Sequence, residues 1–166
     1  MKKKKKKIKK QGPVKEKMFT EHYFTNPIYW MDKPEWAKDL NKASDPFIKK
    51  AAKENEKFVK ERTKNFGDKG DHGMVNHSTS LINQPGFEQL QSWILATAYN
   101  LLDEQGFDLS GHQLFLTEMW VQEFSPLGGG HHTLHTHWNG HMSGFYFLKA
   151  SDKTSRPVFQ DPRPGR

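Results

Sequence analysis

The sequence predicts a mainly β domain with helices packed against it, of the α+β class. Two observations predict strands. Residues 109–124 carry apolar side chains on both alternating faces, as a strand inside a layered structure does, and residues 134–138 and 143–148 also alternate. The third observation is a clear helical pattern over residues 87–105, whose apolar positions keep the spacing of a helix that backs a sheet.

The remaining elements before residue 87 are predicted from local signals. Residues 33–65 are charged and helical: Pro34 begins one short helix, and Ser44-Asp45-Pro46 supplies the N-cap and first-turn proline of a second. Residues 18–30 predict two short strands joined by a turn. Residues 67–86 contain four glycines and predict a long irregular loop.

The basic charge of the chain is concentrated at its start. The net charge of the 166 residues is +7, but residues 1–17 hold ten lysines and one glutamate, which leaves the rest slightly acidic. We interpret residues 1–17 as a disordered basic tail and residues 18–166 as one domain. The tail offers a salt-dependent contact for nucleic acid through Lys2–Lys7, although a solubilising extension, or a start assigned too early, is the favoured interpretation.

Composition also bounds the setting of the protein. The sequence contains no cysteine, which excludes disulfides and thiolate metal sites and fits a cytoplasmic location. It contains no apolar run near the roughly 18–20 residues that a membrane helix needs, and its start lacks the apolar middle of a signal peptide. We therefore expect no membrane partner.

Histidines are concentrated in one short stretch. Five of the nine lie between His131 and His141. His135 and His137 are two residues apart, so an extended strand directs both rings to one face and forms half of a metal coordination shell. His131 and His132 come directly after three glycines and are expected to be exposed, and His141 comes after a turn signal.

Several short motifs of this region occur together in the order of a known family. His135-x-His137, Ser143-Gly144-Phe145-Tyr146-Phe147-Leu148 and Phe159-x-Asp161-Pro162-Arg163 come after a tryptophan-bearing strand at Trp120. This arrangement resembles the 2-oxoglutarate–Fe(II) oxygenases of phages and bacteria. The resemblance implies a double-stranded β-helix, that is, a jelly-roll or cupin-like barrel, with Fe(II) as metal and 2-oxoglutarate as co-substrate.

The resemblance also implies roles for particular residues. His135 and His137 would bind Fe(II), while Tyr146 and Arg163 would bind the co-substrate. Two alternatives stay open: Tyr146 as a core residue with a satisfied hydroxyl, and Arg163 as the partner of Asp161 in a turn. The activity implied is a dioxygenase that hydroxylates an unidentified substrate in the cytoplasm, or in the host cytoplasm if the protein is phage-encoded.

This sequence departs from the family pattern at two places. Better-known relatives carry an acidic residue where His137 stands, so the carboxylate ligand is unaccounted for; none of Glu118, Glu123 and Asp161 has a spacing that makes it a good substitute. The chain also ends at Arg166, before the distal histidine and arginine that the family places later. The sequence therefore predicts an incomplete barrel whose C-terminal strands are missing.

Two other functional classes remain open. One is a non-enzymatic or cupin-like metal-binding β-barrel, with zinc as a candidate ion, which would bind metal without turning over 2-oxoglutarate. The other is a phage accessory protein that binds nucleic acid through its lysine tail. Loss of nucleic-acid affinity on deleting residues 1–17 would distinguish this last class from the others.

Overall fold

The structure is a computed structural model that describes residues 26–67, 70–137, 140–154 and 156–161. A short 3-10 helix, Pro34–Trp36, leads into a long helix α1, Ala37–Phe66. The other elements come in the order β1, α2 and β2: Val75–His77, Glu88–Glu104 and Gln122–Phe124. The chain divides into two units, Met1–Asp32 and Lys33–Arg166, and all of these elements belong to the second.

Helix α1 is continuous, so the prediction that a second helix begins at Ser44-Asp45-Pro46 is wrong. Pro46 lies inside it, where proline removes a backbone donor and crowds the preceding turn. The helix continues because its core-facing side chains keep the spacing of one uninterrupted helical face across the proline. These residues lie on both sides of Pro46: Leu40, Ala43, Ser44, Phe47, Ile48 and Ala51.

A substitution at Ser44 tests whether α1 is continuous or whether a second helix begins at this residue. In the continuous helix its side chain is buried at 3% exposure and its hydroxyl has no hydrogen-bond partner. Ser44→Ala is therefore expected to leave the free energy of unfolding unchanged or to raise it, by up to about 1 kcal/mol. Urea denaturation measures the change. An N-cap serine would instead lose about 1 kcal/mol on this substitution, and such a loss would contradict the continuous helix.

Helix α2 confirms the helix predicted over residues 87–105. Its buried residues are Leu90 and Leu102, and Phe87 at its start is only 2% exposed. The core joins this helix to α1 and to the segment before β2. Its buried members are Leu40, Leu81, Phe87, Leu90 and Val121.

The two strands pair in an antiparallel register, with Val75 opposite Phe124 and His77 opposite Gln122. Backbone pairing continues past the strands, because the Ser78 amide donates to the Val121 carbonyl at 3.0 Å and the Leu81 amide donates to the Met119 carbonyl at 2.8 Å. β1 lies within residues 67–86, for which an irregular loop was predicted. One face of this small sheet meets α1, where the Asn55 side-chain amide donates to the Asn76 side chain at 2.9 Å.

The mainly β jelly-roll fold is therefore wrong, because the described residues hold two α-helices and one two-stranded sheet. The alternation that predicted strands is present, but in most places no neighbouring strand completes the hydrogen bonding. In residues 143–148, Tyr146 and Leu148 pack on the core while Phe145 and Phe147 are exposed. The Leu148 carbonyl accepts from the Asn41 side chain of α1, at 2.8 Å.

The first unit, Met1–Asp32, is described only from residue 26. Residues 26–30 contain no strand, although a strand was predicted there. Its large apolar side chains are exposed: Ile28, Tyr29, Trp30 and Met31. The rest of the predicted strand pair and the basic tail of residues 1–17 lie outside the described residues. No helix in the described ranges is long and apolar enough to cross a membrane.

Candidate metal site

The loop after β2 brings the histidines of residues 131–137 into contact with the sheet. The Gly73 amide donates to the Gly128 carbonyl at 2.8 Å, which ties this loop to the segment before β1. Gly129 has φ +79°, and a Cβ there would lie 2.5 Å from the His72 ring. Gly130 is buried, and a Cβ would lie 2.7 Å from the Phe124 ring. The glycines therefore allow a close approach that any side chain would obstruct.

Trp120 is the centre of the sheet face that these histidines cover. Its ring stacks on His77 with centroids 5.2 Å apart and on His137 with centroids 6.3 Å apart. The plane of the Trp120 ring is 27° from that of His77 and 28° from that of His137. Met119 and Val121 point the other way, into the core. The alternation of residues 119–121 thus separates a core face from a histidine face.

Residues 131–137, which we call the histidine segment, lie over this face. His132 contacts the Phe124 ring at a centroid separation of 5.7 Å, and its Nε2 lies 2.9 Å from the Gln122 Oε1. The His132 and His135 centroids are 6.1 Å apart, and those of His135 and His137 are 5.1 Å apart. All residues of the segment are exposed. Three imidazoles therefore lie in a row that solvent and ions can reach.

The separation of the His135 and His137 rings is compatible with two ligands of one metal ion. A metal about 2.1 Å from one nitrogen of each ring, with roughly 90–110° between the bonds, sets the two ring centroids about 4.5–5.2 Å apart. The separation of 5.1 Å lies in that range, and the ring planes are 65° apart. The His135 Nδ1 lies 2.7 Å from the Thr133 carbonyl oxygen. Donation from Nδ1 to that oxygen leaves the Nε2 lone pair available to a metal.

A third protein ligand is not assembled beside this pair. Across residues 26–67, 70–137, 140–154 and 156–161, no three histidine, aspartate or glutamate side chains converge closely enough to hold one ion. Glu123 accepts from the Asn76 side chain at 3.3 Å, within the network that faces α1. Glu118 is exposed. The pair therefore offers two nitrogen donors, and the other positions of a bound metal would fall to solvent or small molecules.

Tyr146, the predicted co-substrate ligand, has other neighbours. Its ring packs against the core, and its hydroxyl donates to the Lys33 carbonyl oxygen. Burial, with a smaller contribution from the charge of Glu35, raises the pKa of this hydroxyl above its usual value. No ring contact found in the described part of the chain joins Tyr146 to the histidines.

The raised pKa of Tyr146 predicts an alkaline loss of stability. The neutral phenol is favoured in the folded state, so its contribution is present below the unfolded pKa of about 10 and is lost as pH rises through the folded pKa. The free energy of unfolding should fall more steeply above about pH 10 in the natural chain than in Tyr146→Phe. Urea denaturation across that range measures this, with Tyr99→Phe at an exposed site as control. Equal slopes for the natural chain and Tyr146→Phe would contradict it.

The other predicted site residues lie apart from the pair or outside the described residues. Arg163 lies outside them. His141 contacts the Phe107 ring at a centroid separation of 5.8 Å. His77 lies in the region predicted as an irregular loop, and it meets the histidine face through its stack on Trp120. In the sequence, this contact is indicated only by the spacing of His77 and Val75, which are two residues apart and therefore share one face of a strand.

No protein-family model, curated protein or solved structure matches this chain. The resemblance to the oxygenases therefore rests on the short motifs themselves.

Proposed function

We propose that His135 and His137 bind one divalent transition metal, and that the chain is a 2-oxoglutarate- and Fe(II)-dependent dioxygenase in the cytoplasm. The observation that carries the metal site is the 5.1 Å separation of the two ring centroids. Imidazole is a good ligand for Fe(II), Zn, Cu and Ni. The motif order around the pair supports the choice of Fe(II) and 2-oxoglutarate.

The residues around the pair would orient it for this role. The Thr133 carbonyl fixes one His135 tautomer, and the Trp120 ring lies against His137 and limits its rotation. Fe(II), when bound, would couple decarboxylation of 2-oxoglutarate to oxidation of a C–H bond. The exposed segment leaves room for a small co-substrate beside the pair, and we assign no substrate.

A second candidate is metal binding without catalysis, with zinc as one suitable ion. The described residues do not form the β-barrel that both candidates were expected to have, but metal binding alone needs only the two histidines. Both candidates use the same two histidines, so they differ only in whether the bound metal goes on to chelate 2-oxoglutarate and support oxidation.

Anaerobic titration with Fe(II) and then 2-oxoglutarate tests the oxygenase proposal. A chelated keto acid on non-haem iron gives a weak visible absorption band, expected at roughly 500 nm. We expect the band with the natural chain and its loss in His135→Ala. His112→Ala removes an exposed imidazole elsewhere and should keep the band. Metal binding without a band would reject the oxygenase and leave the second candidate.

A further inference from the structure

The outward face of α1 carries a row of lysines separated by four or seven residues. At 3.6 residues per turn, these intervals place all of them within an arc of about 80°. All are exposed, and the arc lies opposite the buried residues Leu40, Ser44 and Ala51. The members of this lysine row are Lys38, Lys42, Lys49, Lys53, Lys60 and Lys64.

The row keeps a positive charge after its local ion pairs are counted. Lys49 pairs with Asp45 and Lys60 pairs with Glu56, each at 2.5 Å. In the described ranges no ion pair is found for the other four lysines. The whole helix holds nine basic and five acidic side chains, a net charge of +4. The positive charge of the row acts on a neighbouring carboxylate: Lys60, and to a smaller extent Lys53, lower the pKa of Glu56.

We propose that the lysine row is a binding surface for the phosphate backbone of double-stranded DNA. From Lys38 to Lys64 the row spans about 39 Å, slightly more than the roughly 34 Å of one turn of duplex. A straight row of cations of this length meets several phosphates at once and releases their counterions. Such contacts position a protein on a duplex and do not read its sequence.

The chemistry of the arc favours duplex DNA over single-stranded nucleic acid and membrane surfaces. The other residues of α1 within this arc are Pro46 and Glu56. The arc therefore offers no aromatic ring on which single-stranded bases would stack. It offers no apolar side chain for insertion into a membrane surface. The opposite face of α1 packs on the core, so the row would meet a duplex from outside and contact its phosphates, not its base edges.

Fluorescence anisotropy with a labelled duplex of about 20 base pairs tests the proposal on the full chain. The test variant carries Lys42→Gln, Lys53→Gln and Lys64→Gln, three lysines for which no ion pair is found in the described ranges. Glutamine keeps the helix propensity of lysine, and circular dichroism checks that helicity is retained. We expect the dissociation constant at about 100 mM NaCl to rise tenfold or more. The slope of log affinity against log salt should become shallower by about 2.7.

A matched variant removes the same charge from another exposed region. It carries Lys149→Gln, Lys153→Gln and Arg156→Gln, and its affinity should change less than about threefold, since only counterion release at contacting phosphates matters. Equal losses in the two variants would overturn the proposal, because net charge alone would then explain binding. No duplex binding at about 50 mM NaCl would also overturn it.

The basic tail needs its own control. A full-length variant with Lys2 to Lys7 replaced by glutamine should bind more weakly, but neutralising the row in that background should still reduce affinity. Binding that depends on the tail alone would overturn the proposal. The proposal would also be overturned if neutralising the row reduced the affinity for single-stranded DNA, duplex RNA or phosphatidylserine vesicles more than the affinity for duplex DNA.

Discussion

Replacing His135 with alanine is expected to weaken the binding of one divalent metal ion by about 100-fold or more. The substitution removes one of two nitrogen ligands, and losing only a hydrogen-bond partner behind a metal-bound histidine already costs about 10–100-fold in affinity. His137→Ala should have a similar effect, because its ring lies 5.1 Å from that of His135. Competition with a fluorescent zinc indicator measures both affinities.

The control for this prediction is a histidine remote from the pair. His112 is exposed, and its Nδ1 lies 3.0 Å from the Ser110 carbonyl oxygen of its own loop. His112→Ala should leave metal affinity unchanged. If it weakens binding as much as His135→Ala does, the metal is held by scattered surface histidines and the proposed pair is wrong.

Phe87→Ala is expected to lower the free energy of unfolding by about 3–5 kcal/mol, the range for removing a buried aromatic side chain. Phe87 is 2% exposed and is, with Leu81, one of the largest fully buried side chains among the described residues. Its ring meets that of Phe47 on α1 with centroids 6.1 Å apart. Its loss would leave a cavity where the two helices meet. Urea denaturation followed by tryptophan fluorescence measures the change.

A second phenylalanine provides the comparison for this prediction. Phe115 is 75% exposed, so Phe115→Ala should change the free energy of unfolding by no more than about 0.5 kcal/mol. A similar large loss in both variants would contradict the placement of the core. A small loss in Phe87→Ala would show that α1 and α2 do not pack through this residue.

The helices show how far local signals predict the fold. Residues 87–105 keep the apolar spacing of a helix, and α2 is found there as Glu88–Glu104. In α1 two signals disagreed: Ser44 and Pro46 indicated a new helix start, while the apolar spacing continued through them. Packing of Leu40 and Phe47 on one core outweighs the lost hydrogen bond of the proline. Local capping signals could not reveal this long-range contact.

The strands show why the fold class was wrong. Alternation correctly predicted that Met119 and Val121 share one face and Trp120 lies on the other. It also separated Tyr146 from Phe145. Alternation reports which side of an extended chain is buried, but a sheet also needs a partner strand for its backbone groups. In residues 143–148 part of that role falls to the Asn41 side chain, which periodicity cannot reveal.

The candidate site was predicted in part. The two-residue spacing of His135 and His137 brings their rings together, as the sequence predicted, although the segment is not a strand. The contacts of His77 and His132 with this face depend on the β1–β2 register and on the close approach of Gly130. These are tertiary features that the spacing of the histidines does not contain. The metal itself and the oxygenase activity remain predictions.

The most direct test of the metal site is a long-range proton–nitrogen NMR spectrum of the histidine rings, recorded before and after one equivalent of zinc. The proposed site predicts that ring nitrogens of His135 and His137 shift together, with Nε2 of His135 bound and its Nδ1 protonated. Other histidines should keep their shifts. Partial shifts spread over many histidines, or a shift at only one of the two, would contradict a site shared by this pair.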